Sequence, residues 1–226
     1  MSDVGSVSTP GAAVSRPGAA VFRPGAAKIA KVLLFFTSLV PLVLLVHGAR
    51  TNNLGANPAE TIQLTTGHWA FRFLLLTLTI TPVRRLTGWN IVIRYRRMLG
   101  LFAFFYACCH FAAYWAFDLN FAIGAMLGDV AKRPFITMGF AAFLSMAPLA
   151  LTSTKGWIRR LGRNWTRLHR LIYVSGVCAA IHFAWKVKVF AGAPVRYALA
   201  VVLLLGFRVF WVLLKDRRAR ALKSAL

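Results

Sequence analysis

Long apolar runs alternate with short basic segments along most of this chain. Six such runs lie near residues 30–48, 67–84, 98–117, 134–151, 169–186 and 194–214. A helix that rises about 1.5 Å per residue needs about 20 residues to cross a hydrocarbon core of roughly 30 Å. The pattern therefore predicts an all-α fold, a polytopic membrane bundle with six transmembrane helices.

The segments outside these runs predict a simple domain organisation. Residues 9–27 contain TPGAAVS, RPGAAVF and RPGAA, a repeat so rich in Pro and Gly that it favours neither helix nor strand. We expect residues 1–28 to form a disordered arm, residues 29–215 the transmembrane domain, and residues 216–226 a basic tail.

Composition and charge support a membrane protein over a nucleic-acid-binding one. The chain is 58% hydrophobic, yet its formal net charge is +23, from 28 Lys and Arg against five acidic residues. A nucleic-acid partner requires the charges to form a patch on a polar surface, whereas here they cluster between apolar runs.

The distribution of these clusters predicts the orientation. They fall in the N-terminal arm, after the second run (Arg84–Arg97), after the fourth run (Lys155–Arg170) and in the tail. Cytoplasmic loops carry the excess of Lys and Arg, so both termini are expected in the cytoplasm. The three cysteines form no disulfide framework and do not indicate a compartment.

Two histidines stand deep inside apolar runs and are the main candidates for chemistry. His110, within FFYACCHFAAYW, and His182 each lie 12 or 13 residues into their runs, roughly 18–20 Å from the cytoplasmic end. An unpartnered imidazole at that depth is costly, which favours a functional role over a packed polar pair. Two rings at one level could grip a flat metal cofactor, and small neighbours such as Ala107 and Ala179 would leave room for a macrocycle.

The cysteines next to His110 do not change this hypothesis. Covalent c-type haem attachment reads C-x-x-C-H, and ACCH has a different spacing. A zinc site needs further ligands, which the apolar neighbours do not offer. His110 is therefore interpreted as an axial ligand of a non-covalent b-type haem, and Cys108 and Cys109 as small apolar fillers.

The remaining histidines do not indicate a single role. His169 lies about 20 Å along the helix from His182 but about 140° around it. It could ligate a second haem with an unusual partner, contact a flavin or quinone, or cap the helix start. His47 and His68 lie near the outer ends of their runs and are interpreted as interface residues.

Three cations within or beside the runs have competing interpretations. Arg72 and Lys186, near the outer boundary, could pair with haem propionates or could snorkel to the interface. Arg208, near the inner end of the last run, is interpreted as snorkelling.

The sequence also resembles a known family. The stretches LTLTITPVRRL, RYRRMLGLFAFFYACCHFAAYW, RPFITMGF, PLALTST and WTRLHRLIYVSGVCAAIHFAWKVK, in order over roughly residues 28–215, are similar to MsrQ (YedZ) proteins. These are the haem-binding membrane subunits of the periplasmic methionine sulfoxide reductase system, within the ferric-reductase-like transmembrane superfamily. The arm at 1–27 and His68 depart from the family pattern.

The resemblance implies a six-helix haem b protein of the bacterial inner membrane, with one or two haem groups. The family's haem-ligating histidines correspond to His110, His182 and His169, and flavin mononucleotide (FMN) binding is associated with the family. Electrons would come from quinol or a cytoplasmic flavin reductase and pass to a periplasmic molybdenum-containing methionine sulfoxide reductase. The alternatives are another ferric-reductase-like haem b oxidoreductase and, outside redox chemistry, a small transporter or anchor.

Overall fold

The computed structural model describes residues 24–186 and 193–224, and this part of the chain is helical, without strands. The α-helices are α1 (Pro24–Arg50), α2 (Pro58–Thr87), α3 (Ile93–Phe117), α4 (Ile123–Lys132), α5 (Pro134–Leu151), α6 (Lys155–Leu161), α7 (Arg163–Leu168), α8 (Leu171–Lys186) and α9 (Ala193–Ser224); a 3₁₀ turn at Asn90–Val92 precedes α3. The all-α prediction is confirmed. Most of the predicted arm lies outside the described residues.

Local signals explain where the helices begin and end. At the start of α2, the Asn57 side chain accepts the Glu60 backbone N–H at 3.2 Å, and Pro58 occupies the first turn, where no intrahelical N–H is needed. Gly88, with φ of 73°, ends α2 in a left-handed conformation that glycine adopts without steric cost. The apolar run predicted at 134–151 coincides with α5.

Four helical segments are long and apolar enough to cross a membrane: Gly25–Arg50, Asn90–Phe117, Pro134–Leu151 and Val195–Lys215. The chain is thus a multi-pass membrane protein. The two other predicted spans coincide with α2, which carries Gln63, His68 and Arg72 among its apolar residues, and with α8, which has 16 residues. Length and composition alone do not identify these two helices as spans, so the count of six stays a prediction.

The helices pack in pairs. α2 lies mainly against α3, α5 mainly against α8, and α9 covers α8 and part of α2. Aromatic side chains fill the centre, where Phe73 stacks on Tyr106 with ring centres 5.5 Å apart. The Tyr106 hydroxyl donates to the Ser38 carbonyl at 2.8 Å, which fixes α1 against α3. Exposed Val, Leu and Phe side chains cover the outward faces of α1 and α9, as expected for surfaces in contact with lipid.

The two ends of this bundle differ in charge. One end carries α6 and α7, and ten exposed basic residues lie there: Arg84, Arg85, Arg94, Arg97, Lys155, Arg159, Arg160, Arg163, Arg167 and Arg170. The opposite end carries α4 and three acidic residues, Glu60, Asp118 and Asp129. We refer to these ends as the α6 side and the α4 side.

The interpretation of Arg208 as a snorkelling residue is wrong. Its guanidinium turns into the bundle, donates to the Leu78 carbonyl and the Thr81 hydroxyl at 3.1 Å each, and bonds the Tyr173 hydroxyl. Neighbouring helices offer these acceptors, so the charge does not need to reach water.

Candidate functional site

Two of the three candidate ligands meet in the structure. His110 on α3 and His182 on α8 place their ring centres 6.1 Å apart, with the ring planes inclined at 73°. Both residues lie towards the α4 side, seven positions before the end of α3 and four before the end of α8. The two imidazoles thus lie at the common depth expected from the sequence, in an edge-to-face arrangement.

The orientation of each ring is fixed by a backbone carbonyl of the neighbouring helix. Nδ1 of His110 lies 2.9 Å from the Gln63 carbonyl oxygen of α2, and Nδ1 of His182 lies 2.6 Å from the Phe135 carbonyl oxygen of α5. Because a carbonyl only accepts, each Nδ1 must carry the proton. Nε2 of each neutral ring then holds a free lone pair, and no described residue bonds either Nε2.

A cavity of about 220 Å³ lies between the two rings and reaches the α4 side. Small side chains, Ala107 and Ala179, leave space next to the histidines, as the sequence indicated. Aromatic walls come from Phe111, Phe140 and Phe143. The polar part of the lining includes Tyr114, Asp118, Arg133 and Lys186.

Helix α4 lines this cavity at the α4 side. Met126 and Val130 face inwards and form part of the lining. The Tyr114 hydroxyl donates to Asp129 Oδ2 at 2.8 Å, and Arg133 pairs with Asp129 Oδ1 at 3.3 Å. Helix α4 was not predicted from the sequence. The available signal was the short apolar segment Ile123–Lys132, which contains Asp129 among its apolar residues.

Gln63 bonds both to the His110 ring and to Asp118 at the end of α3. Its side-chain amide donates to Asp118 Oδ1 at 2.9 Å, while its backbone oxygen accepts from His110. This bond ties the start of α2 to the end of α3. It thereby keeps the Gln63 carbonyl opposite the His110 ring.

His169 lies apart from this cavity, between α7 and α8 on the α6 side. Its ring stacks on Trp165 with centres 3.8 Å apart, and its Nδ1 lies 3.1 Å from the Trp165 carbonyl oxygen. The Leu149 backbone is a second hydrogen-bond neighbour of this ring. No second described histidine lies opposite it, and Arg96 is a charged neighbour.

The remaining candidates divide between the cavity and the surface. His68 was expected at the interface, but it lies in the cavity wall against Phe183, so that interpretation is wrong. His47 is exposed near the end of α1. Arg72 is exposed, donates to the Tyr197 hydroxyl at 3.0 Å and lies over the Trp69 ring; it is not among the cavity residues, whereas Lys186 is.

The geometry of the histidine pair fits a metal held axially. A ring nitrogen binds a transition metal at about 2 Å and the ring centre lies roughly 1 Å behind it, so two axial imidazoles have centres about 6 Å apart. Among the described residues, no group of three or more His, Cys, Asp or Glu side chains could hold a metal ion. A metal between His110 and His182 would therefore need equatorial ligands from elsewhere, which a porphyrin provides.

Comparisons with known proteins identify the class to which the chain belongs. Residues 66–180, which include α3, α5 and most of α8, match the family described as "Ferric reductase like transmembrane component". The chain therefore belongs to the ferric-reductase-like transmembrane class.

Individual relatives place the chain in a particular family within this class. Over 203 residues the chain is 49% identical to the "Protein-methionine-sulfoxide reductase heme-binding subunit MsrQ" of Xanthomonas oryzae pv. oryzae, covering 87% of this chain and 93% of that protein. Proteins of the same name from Herminiimonas arsenicoxydans and Xanthomonas campestris pv. campestris are 48% and 53% identical, over 86% and 76% of this chain and 90% and 78% of the relatives. The chain belongs to the MsrQ family, which confirms the resemblance seen in the sequence.

Proposed function

We propose that the protein is a membrane electron-transfer subunit that holds a b-type haem between His110 and His182. The observation that carries this proposal is the pair of imidazoles 6.1 Å apart, each with its Nδ1 proton given to a carbonyl and its Nε2 free. The relatives' name, a heme-binding subunit, supports it. The bound haem would supply reversible one-electron chemistry at iron.

The residues around the rings have separable tasks in this proposal. The carbonyls of Gln63 and Phe135 hold the ligand tautomer, which makes each imidazole a stronger donor to iron. Lys186 faces the cavity and is the cation that we assign to a haem propionate. Helix α4, bonded through Tyr114 and Asp129, excludes water from the outer end of the site.

We also propose the orientation that the charges favour. The basic α6 side would face the cytoplasm, and α2 and α8 would cross the membrane with the four apolar helices, giving six spans and cytoplasmic termini in the bacterial inner membrane. The histidine pair would then lie in the outer half of the bilayer. A cofactor in that position is well placed to pass an electron to a partner on the α4 side.

The partners follow from the family. The relatives' name links them to a protein-methionine-sulfoxide reductase. We propose that this chain delivers electrons to a periplasmic molybdenum-containing subunit of that kind, which repairs oxidised proteins. The donor would be quinol or a cytoplasmic flavin reductase that reaches the α6 side.

His169 is the candidate contact for a second redox cofactor near that donor. Its ring lies on the basic α6 side, stacked on Trp165 and bonded through Nδ1 to the Trp165 carbonyl. We propose a second haem or FMN at this position. Haem and flavin stoichiometries of wild type and His169→Ala separate the two: loss of one haem, or loss of flavin, identifies the cofactor.

The central test is the haem content of purified full-length protein. His110→Ala and His182→Ala should each lose the low-spin haem spectrum, because either variant removes one axial nitrogen. His47→Ala is the matched control, since this histidine is exposed on α1 and outside the cavity. A colourless wild type purified with adequate haem supply would instead favour a transporter or anchor without a redox centre.

A further inference from the structure

The two candidate ligands, His110 and His182, are bonded to the same local backbone arrangement on two different helices. The acceptor carbonyl is followed four residues later, one helical turn on, by a glycine: Gln63 by Gly67 on α2, and Phe135 by Gly139 on α5. In both cases the histidine lies 47 positions after the carbonyl residue. The two helix pairs therefore repeat one arrangement of carbonyl, glycine and imidazole.

The position of the glycine has a physical reason. In an α-helix the Cα–Cβ bond points towards the N-terminus, so the side chain at i+4 lies over the carbonyl of residue i. At Gln63 the Thr66 hydroxyl also donates to the carbonyl oxygen, at 3.1 Å. In both helices the carbonyl already accepts the N–H of residue i+4, so a donor from a neighbouring helix must reach its second lone pair. A glycine at i+4 leaves this lone pair open to a side chain from outside.

The distances show how little room exists. A Cβ added at Gly67 would lie 3.0 Å from Nδ1 and from Cε1 of His110. A Cβ added at Gly139 would lie 2.6 Å from Nδ1 and 2.8 Å from Cε1 of His182. At Gly100 and Gly176, in the same helices as the histidines, the nearest atoms would be 3.6 Å and 3.4 Å away, which is ordinary contact.

We propose that Gly67 and Gly139 are positioning residues for the haem ligands: each opens a helix carbonyl to the Nδ1–H of one histidine and so sets the ring that presents Nε2 to iron. This inference rests on the proposed haem site. A side chain at either position displaces the ring and breaks its hydrogen bond. The imidazole then becomes a weaker donor that is free to rotate.

Each consequence is measurable. Loss of a partner that orients a metal ligand typically lowers metal affinity roughly 10–100-fold. A weaker axial donor also stabilises ferric iron less, so the midpoint potential rises. The effect should be larger at Gly139, where the added Cβ approaches the ring more closely and the native bond is shorter.

The experiment compares Gly67→Ala and Gly139→Ala with the control variants Gly100→Ala and Gly176→Ala in purified full-length protein. Haem affinity, the low-spin fraction by absorption and paramagnetic resonance, and the midpoint potential are measured on samples with wild-type helicity and a single size-exclusion peak. We expect weaker haem binding, a lower low-spin fraction and a higher potential at positions 67 and 139 than in the controls. Values equal to those of the controls in both variants overturn the inference.

A measurement on the wild type covers the case in which neither variant folds. The Nδ1 protons of the two axial rings give hyperfine-shifted resonances in ferric low-spin protein, and their exchange in D₂O can be followed directly. Slow exchange of both supports the closed carbonyl contacts, and exchange as fast as in a water-exposed ring overturns them. If His110→Ala keeps the wild-type spectrum, the haem proposal itself fails. If only the glycine variants behave like their controls, the haem proposal stands and the role of the glycines fails.

Discussion

The imidazole rings of His110 and His182 are close to perpendicular, at 73°, and each is locked by a carbonyl of a different helix. Each hydrogen bond restrains the rotation of its ring. The relative orientation is therefore a property of the protein backbone.

This orientation predicts a particular paramagnetic resonance signal. Perpendicular axial imidazoles bring the two highest occupied iron d-orbitals close in energy, so ferric protein should give a highly anisotropic low-spin signal with a large maximum g value. Parallel rings would give a rhombic signal with three well-resolved g values. A rhombic spectrum from the wild-type haem would contradict the ring geometry.

Lys186 should set the midpoint potential through its charge. A cation near haem disfavours the ferric state, so Lys186→Gln should lower the potential, by roughly tens of millivolts for a charge about 10 Å away at intermediate dielectric. A spectroelectrochemical titration gives this value. Arg72→Gln is the matched control, because Arg72 is outside the cavity and bonded to Tyr197; equal shifts in both variants would refute a specific role for Lys186.

The bond between Tyr114 and Asp129 should hold α4 in place. Tyr114→Phe removes a hydrogen bond worth about 1 kcal/mol, so amide exchange in Ile123–Lys132 should accelerate about fivefold. Hydrogen-exchange mass spectrometry measures the effect. Tyr95→Phe, whose hydroxyl bonds no described residue, should leave α4 unchanged.

Arg208 should contribute to stability despite its position in an apolar helix. Arg208→Leu removes the contacts to Leu78, Thr81 and Tyr173, and a hydrogen bond to a charged group is worth about 1.5–3 kcal/mol. We expect a lower free energy of unfolding in denaturant titrations in detergent. Lys215→Leu, an exposed position of the same helix, serves as control, and equal stability of the two variants would contradict the assignment.

Haem should stabilise the bundle, because its proposed ligands, His110 and His182, come from α3 and α8. A ligand that binds only the folded state raises stability in proportion to the logarithm of its concentration over its Kd. Haem-depleted wild type should therefore melt at a lower temperature than holoprotein, and added haem should restore the difference. In His182→Ala, added haem should have little effect; restoration equal to that of wild type would indicate binding elsewhere.

The sequence predicted the features that depend on apolar length and depth. The run at 134–151 coincides with α5. His110 and His182, which were predicted to lie at equal depth, have ring centres 6.1 Å apart. Both predictions follow from one regular quantity, the rise per residue of a helix.

The features that depend on neighbours were not predictable in this way. The carbonyls of Gln63 and Phe135 carry no side-chain signature, and only the shared spacing of Gly67 and Gly139 could have indicated them. Arg208 was placed wrongly because snorkelling assumes that a charge has no partner inside the bundle. Similarly, His68 was assigned from its position along α2, whereas its place in the wall depends on Phe183 of α8.

The division of the site between two helix pairs bears on how the protein is made. α2 and α3 bring one imidazole, and the second arrives only after α5 and α8 have been synthesised and have packed together. Neither half can clamp iron from both faces by itself. Haem held by this pair, as proposed, would be captured late in biogenesis, and the colour of the purified protein would report that both halves have docked.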